Sequence, residues 1–161
     1  MEFISKSVEE TAKIANDFAE NLKVSEKNAT VVGLYGELGS GKTTFMKSLA
    51  KAFGIIETIK SPTFVIMRKY TSPQPLPLTR GGGKENESFL GGEVWNLIHI
   101  DAYRIEKEEE MLNLGWQEII ADPKNLVCVE WPERIAGIMP SHIVITFEHY
   151  GNESQRKISI T

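Results

Sequence analysis

A glycine-rich segment near the start of the chain constrains the fold more than any other feature. Residues 36–43 read GELGSGKT and match the pattern G-x-x-x-x-G-K-[ST]. The run before it, ATVVGLY at 29–35, is typical of a buried strand, and residues 42–53 have the apolar spacing of an amphipathic helix. A strand, a glycine turn and a helix in this order predict an α/β fold.

The residue types of this turn suit it to bind phosphate groups. Glycines adopt positive φ angles and let the backbone approach closely, so that successive amides and the start of the helix point at an anion. Lys42 can reach the β- and γ-phosphates of a nucleotide, and the Thr43 hydroxyl can ligate Mg²⁺. We therefore predict a nucleotide-binding site rather than a glycine turn with an accidental lysine.

The rest of the chain predicts a mixed sheet. Ser7 and Glu10 fit a capping box at the start of a helix over 7–22, and an acidic, helical connection is expected over 106–120. Further strands are predicted at 63–70, 94–100, 126–129, 142–149 and 156–160. At 161 residues, the chain has the length of one ordinary domain. We expect fold class α/β, a single P-loop NTPase domain over 1–161 with a mixed central β-sheet flanked by helices.

The segment 71–93 differs from the rest of the chain. It holds three of the seven prolines and five of the thirteen glycines and has no apolar periodicity. This composition predicts a flexible loop insertion between two strands. A tolerated surface insertion is the simpler interpretation, and a partner- or substrate-binding loop is the alternative.

Charge and composition exclude several classes of function. The net charge of −4 argues against a protein that grips nucleic acid by itself. A single cysteine, Cys128, excludes a cysteine-rich metal cage and reads as a small buried apolar residue, and three dispersed histidines do not indicate a metal site. Neither a secretory signal nor an apolar run of membrane-spanning length occurs, so we expect a soluble, cytoplasmic protein.

Two acidic residues follow apolar strands and are candidates for the chemistry. Asp101 ends LIHI and Glu130 ends LVCV, and a carboxylate there can hold Mg²⁺, hold its water shell or orient an attacking water. Their spacing does not assign these roles. The chain has no Asn-Lys-x-Asp element for guanine, and Asp101 does not begin a D-x-x-G switch, so adenine is favoured.

Three further segments have two interpretations each. Ser61–Phe64 (SPTF) is either a switch that senses a γ-phosphate or a plain turn. Tyr103 and Arg104 offer a stacking ring and a cation, or are surface residues. Trp131 either packs in the core or covers the site.

Four motifs in this order resemble the TsaE family. They are GELGSGKTTF, SPTF, HIDAYR and EWPER, and with the 71–93 segment set aside the resemblance covers nearly the whole chain. The family comprises bacterial P-loop ATPases of tRNA threonylcarbamoyladenosine synthesis. The resemblance implies that ATP lies in the loop, that Thr43 and Glu130 hold Mg²⁺, and that Asp101 is needed for hydrolysis, with Lys42 and Glu130 also catalytic. The implied nucleotide contacts are Gly36, Glu37, Leu38, Gly39, Ser40, Gly41, Lys42, Thr43, Thr44, Thr63 and Trp131.

The resemblance also implies partners. The family acts with TsaD and TsaB, which carry threonylcarbamoyl to adenosine 37 of tRNAs that read ANN codons, so tRNA is met only through those partners. The C-terminal strand, near Arg156, is implied to approach the adenine. Two other functions stay open on the same loop: a small-molecule or nucleoside kinase, which normally has an arginine-rich lid, and a non-catalytic nucleotide-sensing module.

Overall fold

The fold is built on one seven-stranded mixed sheet. The computed structural model describes residues 1–55, 66–71 and 96–161, apart from the side chains of 152 and 153. Its elements are β1 (Glu2–Ser5), α1 (Val8–Asn21), β2 (Thr30–Tyr35), α2 (Lys42–Ala52), β3 (Met67–Thr71), β4 (Asn96–Asp101), α3 (Glu108–Asn113), α4 (Trp116–Ala121), β5 (Asn125–Glu130), β6 (Ile143–Tyr150) and β7 (Asn152–Ile160). The strand order is β1-β7-β6-β2-β5-β4-β3. The predicted α/β class with a mixed sheet and flanking helices is confirmed.

The four central strands, β6, β2, β5 and β4, run parallel to one another. β2, β4 and β5 are buried almost throughout, as strands covered on both faces must be. Their carboxyl ends meet at one edge of the sheet, where the 36–43 loop, Asp101 and Glu130 follow. The sheet therefore brings together three sequence features that are up to about ninety residues apart.

Antiparallel strands complete the sheet at both sides. β3 pairs with β4, while β7 pairs with β6 and β1 pairs with β7. The sequence did not predict β1, because four residues with alternating exposure are too short for a clear pattern. Its partner is the C-terminal strand, so this strand depends on a contact between the two ends of the chain.

Two apolar clusters cover the two faces of the sheet. One packs α1 and α2 against one face and includes the buried residues Phe45, Leu49, Leu126 and Cys128. The other lies beneath α3 and α4 and centres on Trp116. Burial raises the pKa of the Cys128 thiol, in agreement with its expected role as a small core residue.

Helix α1 begins as predicted. The Ser7 hydroxyl accepts a hydrogen bond from the Glu10 amide at 3.2 Å, and the Glu10 carboxylate accepts one from the Lys6 amide at 2.6 Å. The reciprocal bond of a capping box would go to the amide of Ser7 itself, so here it is shifted by one residue.

Other predicted elements differ in their bounds. The connection over 106–120 forms two short helices, because Gly115 has a φ of 81° and breaks the run. The strand predicted at 63–70 begins at Met67, with residues 63–65 outside the described residues, as are 94 and 95 of the strand predicted at 94–100. Thr71 belongs to β3, and the remainder of the predicted 71–93 insertion also lies outside the described residues. Where the structure is described, no helix is long and apolar enough to cross a membrane.

Candidate nucleotide and metal site

The glycine loop joins β2 to α2 and needs its glycines. Gly36, Gly39 and Gly41 have φ values of 141°, 76° and 107°, which side chains disfavour. A Cβ at Gly36 would also lie 2.4 Å from the carbonyl oxygen of Phe147 in β6, so this position has no room for one. At Gly39 and Gly41 the space beside the backbone is open, as a loop that receives a ligand requires.

The loop's other predicted residues differ in exposure. Leu38 lies at the tip of the loop, and its side chain is 77% exposed. Ser40 is buried, and its hydroxyl oxygen has no hydrogen-bond partner among the described residues. Thr44 is half-buried, and its carbonyl accepts a bond from Ser48 within α2. The unpartnered hydroxyl at Ser40 is a polar atom that a phosphate oxygen would satisfy.

Lys42 is folded over the loop. Its Nζ donates to the carbonyl oxygens of Gly36 at 2.5 Å and Glu37 at 2.8 Å, and lies 4.0 Å from the centre of the Trp131 ring. Burial lowers the pKa of Lys42, although the carboxylates of the site oppose that shift. The ammonium therefore lies within the loop itself, where phosphate oxygens can replace the two carbonyls.

Thr43 and Glu130 meet across the edge of the sheet. The Thr43 hydroxyl donates to the Glu130 carboxylate and lies 3.0 Å from each of its oxygens. Glu130 is buried, and its Oε1 also lies 2.8 Å from Nε2 of His99, a fully buried residue of β4. A buried carboxylate needs such partners because burial without them is strongly unfavourable.

Asp101 lies beside Glu130 at the end of the neighbouring strand. The two residues are partners in the parallel register of β4 and β5. Asp101 is half-buried, and its Oδ1 accepts a hydrogen bond from the Tyr103 amide at 3.1 Å. Burial, helped by the charge of Glu130, raises the pKa of Asp101, while the Tyr103 amide, His99 and Lys42 oppose the shift.

This set of donors fits Mg²⁺ together with a nucleotide. A hydroxyl and a carboxylate are hard oxygen donors, and Mg²⁺ at such sites takes only one or two protein ligands beside phosphate and water. The described residues contain no group of three or more His, Cys, Asp or Glu side chains placed to hold a metal ion. The residues that would hold the ion are Thr43 and Glu130.

Trp131 has features of both sequence interpretations. It is half-buried against the second apolar cluster and at the same time lies against Lys42, so it packs in the core and also borders the loop. Its φ of 59° is unusual for a residue with a large side chain. The Tyr103 ring packs against it at an angle of 52°, with ring centres 5.0 Å apart.

One predicted segment remains, together with His99, which no sequence pattern singled out, and Arg156, which the family resemblance places near the adenine. Thr63 and the Ser61–Phe64 segment lie outside the described residues, so their role stays a prediction. Sequence reasoning gave His99 no role, although strand alternation places it on the same face of β4 as Asp101. Arg156 of β7 donates through Nη2 to the Gly39 carbonyl at 3.2 Å, a contact that only the fold creates.

Comparisons with known proteins agree on one family. A family model described as "Threonylcarbamoyl adenosine biosynthesis protein TsaE" matches residues 5–158. A tRNA threonylcarbamoyladenosine biosynthesis protein TsaE from Aquifex aeolicus is 34% identical, over 99% of this chain and 94% of that protein. The protein of the same name from Treponema pallidum is 31% identical over 99% of both chains.

A solved structure has the same fold. The crystal structure of Bacillus subtilis YdiB matches with a TM-score of 0.69 and 27% sequence identity, covering 99% of this chain and 83% of that one. The match extends across the sheet and its flanking helices, in agreement with the family assignment from sequence.

Proposed function

The chain belongs to the TsaE family, a P-loop ATPase family of tRNA threonylcarbamoyladenosine biosynthesis, and we propose that it binds ATP with Mg²⁺ and hydrolyses it in that process. One observation carries the proposal: the glycine loop, the Thr43–Glu130 pair and Asp101 converge at one edge of the sheet. Such an edge is where open α/β sheets bind nucleotides.

The loop and Lys42 bind the phosphates. Backbone amides of 36–43 and the start of α2 provide donors and a positive dipole end, and Lys42 exchanges its two carbonyl partners for phosphate oxygens. The Lys42 ammonium would stabilise charge that develops on the transferred phosphate, which is its catalytic contribution. Trp131 would then border the bound nucleotide.

Thr43 and Glu130 would hold the ion, and Asp101 would act on water. Bound Mg²⁺ would neutralise charge on the phosphates. The Thr43 hydroxyl and the Glu130 carboxylate, now hydrogen-bonded to each other, are the oxygen donors that would hold it. Asp101, one strand further along and half-buried, accepts a hydrogen bond from the attacking water and orients it toward the γ-phosphate.

The chain acts with TsaD and TsaB and meets tRNA only through them. Its net charge of −4 supports this, because direct tRNA binding would need a cationic surface. ATP hydrolysis would reset the partner complex for another turnover, since loss of the γ-phosphate can release an ordered interface. A process that modifies tRNA in bacteria takes place in the cytoplasm, and we assign this chain to that compartment.

The 71–93 segment belongs to the proposed domain as an insertion without a part in the site. Its proline- and glycine-rich composition supports this. Thr71 of β3 pairs with Asn96 of β4, so a deletion should keep Thr71. It should remove 72–93 and close the gap with a short turn. We expect the shortened chain to unfold cooperatively and to bind ATP like the full chain. Loss of cooperative unfolding would reveal a structured element in this segment.

The decisive experiment counts turnovers of tRNA threonylcarbamoylation per TsaD–TsaB complex. Wild-type chain with ATP should raise the number of turnovers above one, and Lys42→Ala should abolish this gain together with most ATP binding. Lys47→Ala is the matched control, because Lys47 lies on the same helix with its side chain exposed. Turnovers that do not depend on this chain would refute its proposed role in the pathway.

The fate of the γ-phosphate separates the alternatives. A hydrolase releases it as inorganic phosphate, a kinase transfers it to a metabolite, and a sensing module leaves ATP intact. We expect inorganic phosphate, with a rate that increases when TsaD and TsaB are added. Label recovered in a small molecule would replace the ATPase proposal with the kinase.

A further inference from the structure

His99 is a buried imidazole to which the proposed reaction assigns no role. It lies in β4, between β5 and the edge strand β3, and is fully buried. Its Nε2 is 2.8 Å from Oε1 of Glu130, whose side chain is 4% exposed. A polar side chain in the core of a sheet is unfavourable unless a specific interaction compensates for it, so this contact needs an explanation.

The hydrogen bond has a defined direction. An ionised carboxylate only accepts, so Nε2 carries the proton and donates it to Glu130. The other ring nitrogen, Nδ1, is buried and has no hydrogen-bond partner among the described residues. Within that part of the chain, Glu130 is therefore the one side chain to which the imidazole is hydrogen-bonded.

Glu130 is held from two different elements. Thr43 approaches from α2 and can turn away toward an ion, whereas His99 approaches from a central strand and cannot move without disturbing the core. In the register of β4 and β5, His99 lies opposite Cys128 and reaches Glu130 diagonally, two residues further along β5. The bond thus fixes the Glu130 carboxylate relative to the rigid sheet rather than to the loop.

We propose that His99 is a positioning residue that orients the Glu130 carboxylate to hold the Mg²⁺ of the bound nucleotide. This inference rests on the proposed function. Groups that hydrogen-bond a metal ligand from behind fix its orientation, and their loss typically weakens metal affinity by about 10- to 100-fold. Without His99, the carboxylate would keep Thr43 as its partner and compete with the ion for that hydroxyl.

The test measures how binding of a fluorescent ATP analogue depends on Mg²⁺. The variants are His99→Gln, whose amide nitrogen reaches the position of Nε2, and His99→Asn, whose shorter side chain does not. His99→Leu, which removes the donor, is the third. We expect His99→Leu and His99→Asn to raise the Mg²⁺ concentration for half-maximal binding by about 10- to 100-fold. His99→Gln should restore most of the wild-type value.

Two controls separate positioning from a structural defect. Binding of the analogue in EDTA should be equal in wild type and all variants, because the loop and Lys42 are unchanged. Excess Mg²⁺ should restore binding in His99→Leu and His99→Asn, which a misfolded site would not allow. If His99→Leu fails to fold, the comparison of His99→Gln with His99→Asn still decides, since both introduce an amide and differ only in reach.

The outcomes distinguish this inference from the function on which it rests. A wild-type chain that binds no ATP analogue refutes the proposed function and the role of His99 with it. If the wild type has a clear Mg²⁺ requirement and His99→Leu and His99→Asn have the same one, only the role of His99 is refuted. Equal impairment of His99→Gln, His99→Asn and His99→Leu would show that the imidazole serves packing alone.

Discussion

The parallel centre of the sheet and its antiparallel flank differ in burial and in where their charged groups lie. In the centre, β2, β4 and β5 are buried on both faces, and charged groups collect where these strands end. In the flank, β7 and β1 are partly exposed, and they are joined at the surface by an ion pair in which Lys157 Nζ lies 2.8 Å from a carboxylate oxygen of Glu2. The buried core of the sheet and the candidate site therefore both lie in the centre.

The two regions also differ in where their polar groups lie. Glu130 and His99 are in the interior, where a polar group without a partner is strongly unfavourable, and they are hydrogen-bonded to each other. The flank keeps its charges in water, where they have little effect on stability. Substitutions in the centre should therefore alter activity or stability markedly, and equivalent ones in the flank should not.

The largest effect is expected at Asp101. Asp101→Asn should keep ATP binding and lower the hydrolysis rate by about 10²- to 10⁴-fold, because an uncharged amide is a weaker hydrogen-bond acceptor than a carboxylate and no longer orients the attacking water. Binding and phosphate release, measured separately, check this. Asp17→Asn on the exposed face of α1 is the control. A normal rate in Asp101→Asn would remove this residue from the reaction.

A core substitution in the centre comes next. Leu126→Ala in β5 should lower the free energy of unfolding by about 2–5 kcal/mol, because the side chain is fully buried and leaves a cavity. Ile4→Ala in β1, where the side chain is 39% exposed, should change it by less than about 1 kcal/mol. Chemical denaturation of both variants makes the comparison. Equal losses would contradict the distinction between centre and flank.

The start of α1 gives a smaller effect. Ser7→Ala removes the acceptor for the Glu10 amide and should reduce the free energy of unfolding by about 1 kcal/mol. Ser7→Asp keeps an acceptor and should stay near wild type in the same denaturation experiment. If the two variants were equally destabilised, the cap would not be what stabilises this end.

The smallest effect is expected for the ion pair of the flank. Glu2→Gln removes the partner of Lys157 at an exposed site, and surface pairs contribute little. The thermal midpoint should not change measurably at physiological salt. The Lys157 ammonium lowers the pKa of Glu2, so any contribution should be present at neutral pH and disappear on acidification. A clear drop in the midpoint at neutral pH would show that the flank is more tightly coupled than its exposure indicates.

Local patterns were sufficient for the parts of the fold that have local causes. Ser7 and Glu10 marked the start of α1, the glycine loop marked the turn into α2, and the apolar runs marked β2, β4 and β5. β1 was not predicted, because its strand structure depends on pairing with β7. The break at Gly115 was missed because a single glycine inside an amphipathic run is also compatible with one continuous helix.

The family, the phosphate loop and the two candidate carboxylates could be identified from residue type and spacing, which are properties of neighbours in the chain. The contacts of His99 with Glu130, of Lys42 with Trp131 and of Arg156 with the loop became visible only in the folded chain. Each of these contacts depends on strand order and register, which distant segments establish together when they bury their common core.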